Sequence, residues 1–229
     1  MRRSVLLSFL AGFAVVALMV GGVTLVRSVG ANASSIDPAT SSAIALSSRI
    51  DGSAPAHEFT LVDQHGHAVS LRSLRGHPVV LTFLDPHCTD ICPITSAEFV
   101  QADRLLGSAM NRVTFVGINV NPYAISSADV LAYTRAHQLE GLSNFRFLTG
   151  STTQLANVWK DYGVFVQAPS PSADVVHTSV TYFIDRSGVV RYVAMPNVEH
   201  RADGTSYLPQ SSIDTWAKGI AEVSKSLQA

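Results

Sequence analysis

The first pattern along the chain is a continuous apolar run. Residues 5–26 contain no charged side chain. Because a helix needs roughly 20 residues to cross the hydrocarbon core of a bilayer, this run predicts a transmembrane helix. Arg2 and Arg3 precede it, and basic residues favour the cytoplasmic side of a span. We therefore expect a cytoplasmic n-region over 1–4, a signal-anchor over 5–26 and a single-pass protein of the cell membrane, with the remainder outside the cytoplasm.

A cleaved signal peptide is the alternative for the same segment. Such peptides usually have an apolar stretch of about 7–15 residues followed by a cleavage site with small residues. Ala31-Asn32-Ala33 fits the cleavage site, but the apolar run is longer than that. The length favours the uncleaved anchor, and both interpretations export the rest of the chain.

Downstream, the pattern changes to short apolar segments separated by polar turns. Residues 27–53 are rich in Ser and Ala and are interpreted as a linker, so the folded domain is expected over 54–229. Strands are expected at 59–62, 68–71, 79–84, 113–120, 145–148, 178–184 and 189–194. Helices are expected from Pro93 to Gly107, from Ser126 or Ser127 to His137, at 152–161 and at 212–227, with one helical turn at 71–74. This order predicts an α/β fold: a mixed sheet sandwiched by helices, with an N-terminal β-hairpin.

Charge excludes one class of partner. The chain carries a formal charge of −1, and beyond its first 33 residues it has 13 basic against 17 acidic side chains. A mildly acidic domain has no electrostatic footprint for nucleic acid. We therefore expect no nucleic-acid partner.

The two cysteines are the clearest chemical signal. Cys88 and Cys92 are the only cysteines of the chain, and they lie between a buried strand and a helix that includes Pro93. A helix N-terminus favours a thiolate. Pro93 is expected to keep Cys92 out of a helical conformation, so that the two sulfurs converge. Convergent thiolates suit either a soft metal, chiefly Cu(I), or a dithiol–disulfide couple.

A metal held by two thiolates needs a further ligand. His177 stands immediately before an apolar strand and after the stretch Pro169–Ser172, so we expect a loop histidine that can reach the thiolates. Two thiolates and an imidazole would hold Cu(I) or Cu(II). His87, next to Cys88, is a rival ligand, although a solvent-facing loop position is favoured for it.

These motifs together resemble the Sco/SenC family of copper chaperones. The resemblance extends from about Phe59 to the C-terminal helix. It rests on Phe59–Gly66, Leu71–Gly76, Val79–Phe83, the C-x-x-x-C-P motif Cys88–Pro93, and His177-Thr178 followed by Tyr182–Asp185. Two positions depart from the family pattern: Leu84–His87 replaces an aromatic-rich lead-in, and Val176 replaces a residue that is often Asp.

The resemblance implies a thioredoxin-like fold with Cys88, Cys92 and His177 as copper ligands. It also implies delivery of copper to the CuA centre of cytochrome c oxidase during assembly, or reduction of the cysteines of that centre. The expected partners are the copper-bearing subunit of the oxidase and other copper chaperones.

Two enzymatic alternatives remain open. An extracytoplasmic thiol-disulfide oxidoreductase of the thioredoxin-like class would use Cys88 and Cys92 as a redox pair and would not need His177. Thioredoxin-type enzymes usually have two residues between the cysteines, whereas this chain has three. A peroxidase of the peroxiredoxin kind matches less well, because Pro86 precedes Thr89 by three residues instead of four.

Overall fold

The computed structural model describes residues 36–44, 47–48, 54–195 and 198–228. The predicted n-region and signal-anchor, residues 1–26, lie outside these ranges. Within the described ranges, no helix is long and apolar enough to cross a membrane.

The described residues form a mixed α/β fold. The helices are α1 (Pro38–Ala43), α2 (Ile91–Leu106), α3 (Ser127–Ala136), α4 (Thr152–Asp161) and α5 (Gln210–Ser226), with 3-10 turns at Leu71–Leu74, Gly107–Arg112 and Leu139–Gly141. The strands are β1 (Ser47–Ser48), β2 (Thr60–Val62), β3 (Ala68–Ser70), β4 (Val79–Leu84), β5 (Thr114–Asn119), β6 (Phe145–Leu148), β7 (Val166–Gln167), β8 (Val176–His177), β9 (Thr181–Ile184), β10 (Val190–Ala194), β11 (Glu199–His200) and β12 (Ser206–Tyr207).

The central sheet has the strand order β1-β10-β9-β4-β5-β6 among the described residues. Strands β4, β5 and β6 are parallel, whereas β9 runs antiparallel to β4, and β10 runs antiparallel to β9. The register pairs Leu84 with Asn119, so β4 and β5 end side by side. The residues that follow these two strands therefore meet at one edge of the sheet, and the cysteine loop follows β4.

Alternating side chains of the sheet build two apolar layers. Val80 and Phe115 face one layer together with residues of α2, α3 and α5, while Leu81 and Val116 face a second layer with α4 and the β2–β3 hairpin. In the first layer Phe99 of α2 stacks on Phe115, with ring centroids 5.0 Å apart. The predicted sheet between helices is thus confirmed, and α2 is fixed through its apolar face.

Local signals account for most element boundaries. Ser126 caps α3 with a reciprocal capping box to Asp129, as expected from its side chain. Gly107 ends α2 with a positive φ of 55°, a conformation that costs a glycine little. In the turn between β9 and β10, the Gly188 N–H donates to the Asp185 carbonyl at 2.9 Å.

The folded domain also includes residues that the sequence analysis assigned to the linker over 27–53. Ile44, which follows α1, is fully buried, and a Cβ added to Gly219 of α5 would lie 2.7 Å from its Cγ2 atom. Strand β1 adds to the sheet by pairing with β10. One buried isoleucine and one pairing at the sheet edge hold this Ser- and Ala-rich segment against the domain. Its sequence therefore shows no apolar periodicity that would predict the contact.

Candidate functional site

Cys88 and Cys92 lie together at the N-terminus of α2. Cys88 is half-buried in the loop after β4, and Cys92 is 1% exposed in the first turn of the helix. Both are free thiols. The Cys92 backbone N–H donates to the Cys88 Sγ atom at 3.5 Å. The predicted proximity of the two cysteines is therefore present.

The expected conformation of Cys92, however, was wrong. Helix α2 begins at Ile91, so Cys92 is helical even though Pro93 follows it. Proline is tolerated in a first helical turn because the N–H groups there have no intrahelical partner, and the restriction on the residue before proline is only a preference. Cys88 Sγ accepts the Cys92 N–H, so the two cysteines adjoin at the helix end although Cys92 is helical.

The two thiols have opposite shifts in pKa. A hydrogen bond from the Cys92 thiol lowers the pKa of Cys88 to about 6, and backbone N–H groups of Cys92 and Asp90 add to this. The same hydrogen bond, together with burial, raises the pKa of Cys92. At neutral pH the arrangement therefore holds one thiolate, Cys88, and one thiol, Cys92.

The pKa of Cys88 predicts its reactivity in the metal-free protein. Since the thiolate is the nucleophile, alkylation of Cys88 by iodoacetamide should rise as pH increases through about 6 and level off above pH 7. Mass spectrometry of peptides from the alkylated wild-type protein measures the labelling of Cys88 and of Cys92 separately. A Cys92→Ser variant cannot replace it, because the Cys92 thiol is what lowers the pKa of Cys88. A midpoint near pH 8.5, the ordinary value for a cysteine, would contradict this arrangement.

Asp85 organises the loop that carries Cys88. It directly follows β4 and is buried. Its Oδ1 atom accepts the His87 N–H and the Asn121 side-chain amide, both at 2.9 Å, and its carbonyl accepts the Cys88 N–H at 3.1 Å. Asn121 is held in turn by Asn119 at the end of β5, whose Oδ1 atom accepts the Asn121 N–H at 2.7 Å. The carboxyl ends of two parallel strands thus fix the cysteine loop.

The same carboxylate acts on all three expected ligands. The negative charge of Asp85 favours the protonated forms of Cys88, Cys92 and His177 and raises the pKa of each, although it is not the main cause of any of the three shifts. The register places His177 at the same edge of the sheet. Thr82 of β4 pairs with Thr181 of β9 in antiparallel fashion, so the residues before β9 lie at the end of β4 from which the cysteine loop begins.

His177 is placed differently from the expectation of a loop residue. It lies in β8, opposite Val166 of β7, so a two-stranded ribbon carries it. Two-residue strands are stabilised by their surroundings and leave no alternating pattern in the sequence, which explains the difference.

The imidazole of His177 is prepared for a ligand. Its Nδ1 atom lies 3.1 Å from the Thr178 carbonyl, which can only accept, so Nδ1 carries the proton and the Nε2 lone pair is free. Burial lowers the pKa of His177, and the ring is therefore neutral at pH 7. A neutral ring with a fixed tautomer is the form that binds metal ions.

The three expected ligands do not form a complete metal site as placed. Over the residues that the structure describes, no group of three or more His, Cys, Asp or Glu side chains is arranged to hold a metal ion. The structure brings Cys88 and Cys92 together and leaves His177 nearby. His87 is exposed, and its Nε2 atom lies 3.9 Å from Asp129 Oδ1.

Several residues around the site were not predicted. Ser96 donates to the Cys92 carbonyl at 2.9 Å and contacts the Tyr133 hydroxyl at 2.8 Å. Burial raises the pKa of Tyr133, which stays neutral. For Asp85 and Asn121 a signal was available, because polar residues that follow neighbouring buried strands meet at one sheet edge. Ser96 and Tyr133 left no such signal.

Known proteins are similar to this chain in sequence and fold. The SCO1/SenC family model matches residues 48–203. A SCO1 protein homolog from Bacillus subtilis is 27% identical over 134 residues, which is 58% of this chain and 69% of that protein. The structure of Bradyrhizobium japonicum ScoI with copper bound is 26% identical with a TM-score of 0.56, covering 73% of this chain and 98% of that one.

A further structure supports the fold. BsSco, described as a member of the Sco family of cytochrome c oxidase assembly proteins, is 24% identical with a TM-score of 0.54 and covers 74% of this chain and 94% of that one. The family model covers more than half of the sequence, including both cysteines and His177. The chain therefore belongs to the SCO1/SenC family.

Proposed function

We propose that this domain binds copper through Cys88, Cys92 and His177 and serves the assembly of the CuA centre of cytochrome c oxidase. It would deliver copper to that centre or reduce its cysteines. The observation that carries the proposal is the pairing of a Cys88 thiolate with the Cys92 thiol at the start of α2. Membership of the SCO1/SenC family and the copper-bound state of the Bradyrhizobium relative support it.

The donor atoms fit copper as a cargo. Thiolate sulfur is a soft ligand that selects Cu(I) over harder divalent ions. Cys88 is already a thiolate at neutral pH, and binding would release the proton of Cys92, because metal ligation requires the deprotonated form. Buried Cys92 and half-buried Cys88 would hold the ion at the edge of the domain.

His177 would complete the site for Cu(II). The free Nε2 atom of its neutral ring supplies a harder donor than sulfur, which a divalent copper ion accepts. Because the three side chains are not arranged around one position, the β7–β8 ribbon that carries His177 would move toward the cysteines on binding. Cu(I) needs fewer ligands, and two thiolates can hold it without this movement.

The proposed location is the outer face of the cell membrane. The apolar run over residues 5–26 and the basic residues before it would anchor the chain, with the domain outside the cytoplasm. There the protein would meet the copper-bearing subunit of the oxidase and other copper chaperones.

A copper titration tests the proposal. The purified full chain is reduced without oxygen, and Cu(I) and Cu(II) binding are compared with the Cys88→Ala, Cys92→Ala and His177→Ala variants. We expect one copper per chain, a loss of Cu(I) affinity of at least about 100-fold in each cysteine variant, and loss of Cu(II) binding in all three. Absorption and EPR spectra of the Cu(II) form should show thiolate-to-copper charge transfer.

His87→Ala is the matched control. This histidine adjoins Cys88 but faces solvent, and its loss should leave both affinities and the spectra unchanged. Cu(II) binding that survives in His177→Ala would remove His177 from the ligand set. Absence of stoichiometric binding in the wild-type protein would reject the copper function.

The second candidate is a thiol-disulfide oxidoreductase. The lowered pKa of Cys88 favours it, because a thiolate at neutral pH can attack a disulfide, with Cys92 as the resolving thiol. Reduction of insulin at a rate comparable to thioredoxin, unchanged in His177→Ala, would support this candidate in place of copper binding.

A further inference from the structure

A second two-stranded ribbon lies beside the cysteine loop. Strands β11 and β12 pair in register, joined by a turn in which the Gly204 N–H donates to the Arg201 carbonyl at 2.9 Å. The Tyr207 hydroxyl bonds to Glu199 at 2.5 Å, and the Arg201 guanidinium lies 4.6 Å from the centre of the Tyr207 ring. Its residues are half-buried or exposed, so the ribbon is an arm that is stabilised mainly by its own contacts.

Two hydrogen bonds join the arm to Asp90 of the cysteine loop. The Ser206 N–H donates to Asp90 Oδ1 at 2.7 Å, and the Ser206 hydroxyl donates to Oδ2 at 2.9 Å. These two hydrogen bonds connect the arm to the residue that precedes α2. Both carboxylate oxygens are therefore engaged by a residue 116 positions away.

Asp90 occupies the N-cap position of α2, but its carboxylate does not cap the helix. An Asp at this position usually accepts from an N–H of the first turn. Here Ser206 takes the carboxylate instead, which leaves the first-turn N–H groups to other acceptors. The Cys92 N–H turns to Cys88 Sγ at 3.5 Å.

We propose that Ser206 is a positioning residue for the site: by binding the Asp90 carboxylate it holds the loop so that the Cys92 N–H faces the Cys88 sulfur. Asp90 lies midway between the two cysteines in sequence, so a movement of Asp90 would separate that N–H from the sulfur. The arm thereby pre-organises the two thiols before any ligand arrives.

The proposal rests on the proposed copper function, but its consequence extends to the metal-free protein. The hydrogen bond from the Cys92 N–H holds the Cys88 sulfur beside Cys92, in the position it takes in the reduced pair. Without the hydrogen bonds between Ser206 and Asp90, which we call the clamp, the reduced pair of cysteines loses this stabilisation. Both Cu(I) binding and the balance between dithiol and disulfide should then change.

The test compares Ser206→Ala, Ser206→Thr and Thr205→Ala in the full chain. Thr205 is the matched control, because its hydroxyl contacts Asp203 within the arm at 2.7 Å and not Asp90. We expect Ser206→Ala to weaken Cu(I) binding about tenfold, since one of two hydrogen bonds to a carboxylate is lost. Ser206→Thr keeps the hydroxyl and should restore the affinity, and Thr205→Ala should match the wild-type protein.

A second readout uses no copper. The Cys88–Cys92 dithiol is equilibrated with oxidised glutathione, which yields the protein disulfide and two molecules of reduced glutathione. Ser206→Ala should shift this equilibrium about threefold or more toward the disulfide, again reversed by threonine. A purely structural role would lower the melting temperature and leave both equilibria within twofold of the wild-type protein.

Two results would overturn the inference. One is Ser206→Ala within twofold of the wild-type protein in both assays. The other is an equal effect of Thr205→Ala, which would point to the arm as a whole. If the wild-type protein binds no copper, the proposed function fails, whereas the glutathione equilibrium still decides the role of Ser206.

Discussion

Replacing Glu98 with glutamine is expected to raise the free energy of unfolding of this domain by about 3–5 kcal/mol at pH 9, with little change at pH 4. Glu98 lies within α2 and is 2% exposed. Among the described residues, none hydrogen-bonds its Oε1 atom. Burial without a partner raises the pKa of this carboxyl from 4.5 to about 8.

The direction of this change in the free energy of unfolding follows from the protonation of Glu98 in the folded and in the unfolded protein. The folded protein holds Glu98 protonated up to about pH 8, while the unfolded chain releases this proton near pH 4.5. The favourable contribution of the neutral acid is complete below pH 4.5 and is lost as pH rises through 8. Glutamine has nearly the same shape and stays neutral, so its contribution does not change over this window.

Urea unfolding at several pH values measures the effect. The difference between Glu98→Gln and wild type should grow between pH 4.5 and 8 and then become constant. Glu58→Gln is the control, because Glu58 is on the surface and pairs with Arg75 at 2.7 Å, so its loss should cost no more than about 1 kcal/mol. Parallel stability curves for Glu98→Gln and wild type would show that Glu98 is ionised in the folded protein.

Replacing Asn119 with alanine is expected to destabilise the domain by about 3 kcal/mol and to disturb the cysteine loop. Asn119 is fully buried, donates to the Ala124 carbonyl at 2.7 Å and accepts the Asn121 N–H at 2.7 Å. Alanine would leave both groups buried without these partners. Asn121 would then be free to withdraw from Asp85, so we expect Cu(I) affinity to fall as well.

Asn144→Ala separates the two effects. Asn144 is also a buried asparagine and donates to the Met110 carbonyl at 3.2 Å, but it precedes β6 at the opposite end of the sheet. Both variants should lower the melting temperature, by about 2–4 °C for each kcal/mol lost, while only Asn119→Ala should weaken copper binding. Equal copper affinity in the two variants would show that the Asn119–Asn121–Asp85 chain does not support the site.

Sequence patterns predicted the framework because its signals are local. The strand at 79–84 is a continuous apolar run, and it was found with these bounds. Ser126 and Gly107 marked helix ends through their own conformational preferences. The proximity of Cys88 and Cys92 followed from their position between strand and helix.

The ribbons could not be predicted, because their order comes from contacts that are distant in sequence. The β7–β8 ribbon has two residues in each strand, and the clamp between Asp90 and Ser206 joins positions 116 apart. The segment around Ile44 is similar, since its burial depends on the absence of a side chain at Gly219. Neither the spacing nor the composition of these segments predicts which distant residues they contact.

The unequal burial of the two sulfurs imposes an order on any exchange with solvent. An incoming thiol, oxidant or metal ion meets half-buried Cys88 first, because Cys92 is only 1% exposed behind it. Loading would begin at Cys88 and end at Cys92, and unloading would begin at Cys88 as well, with a competing ligand taking its place. A bound ion would thus leave by successive ligand substitution, held by Cys92 until the acceptor has engaged it, and would never pass free through water.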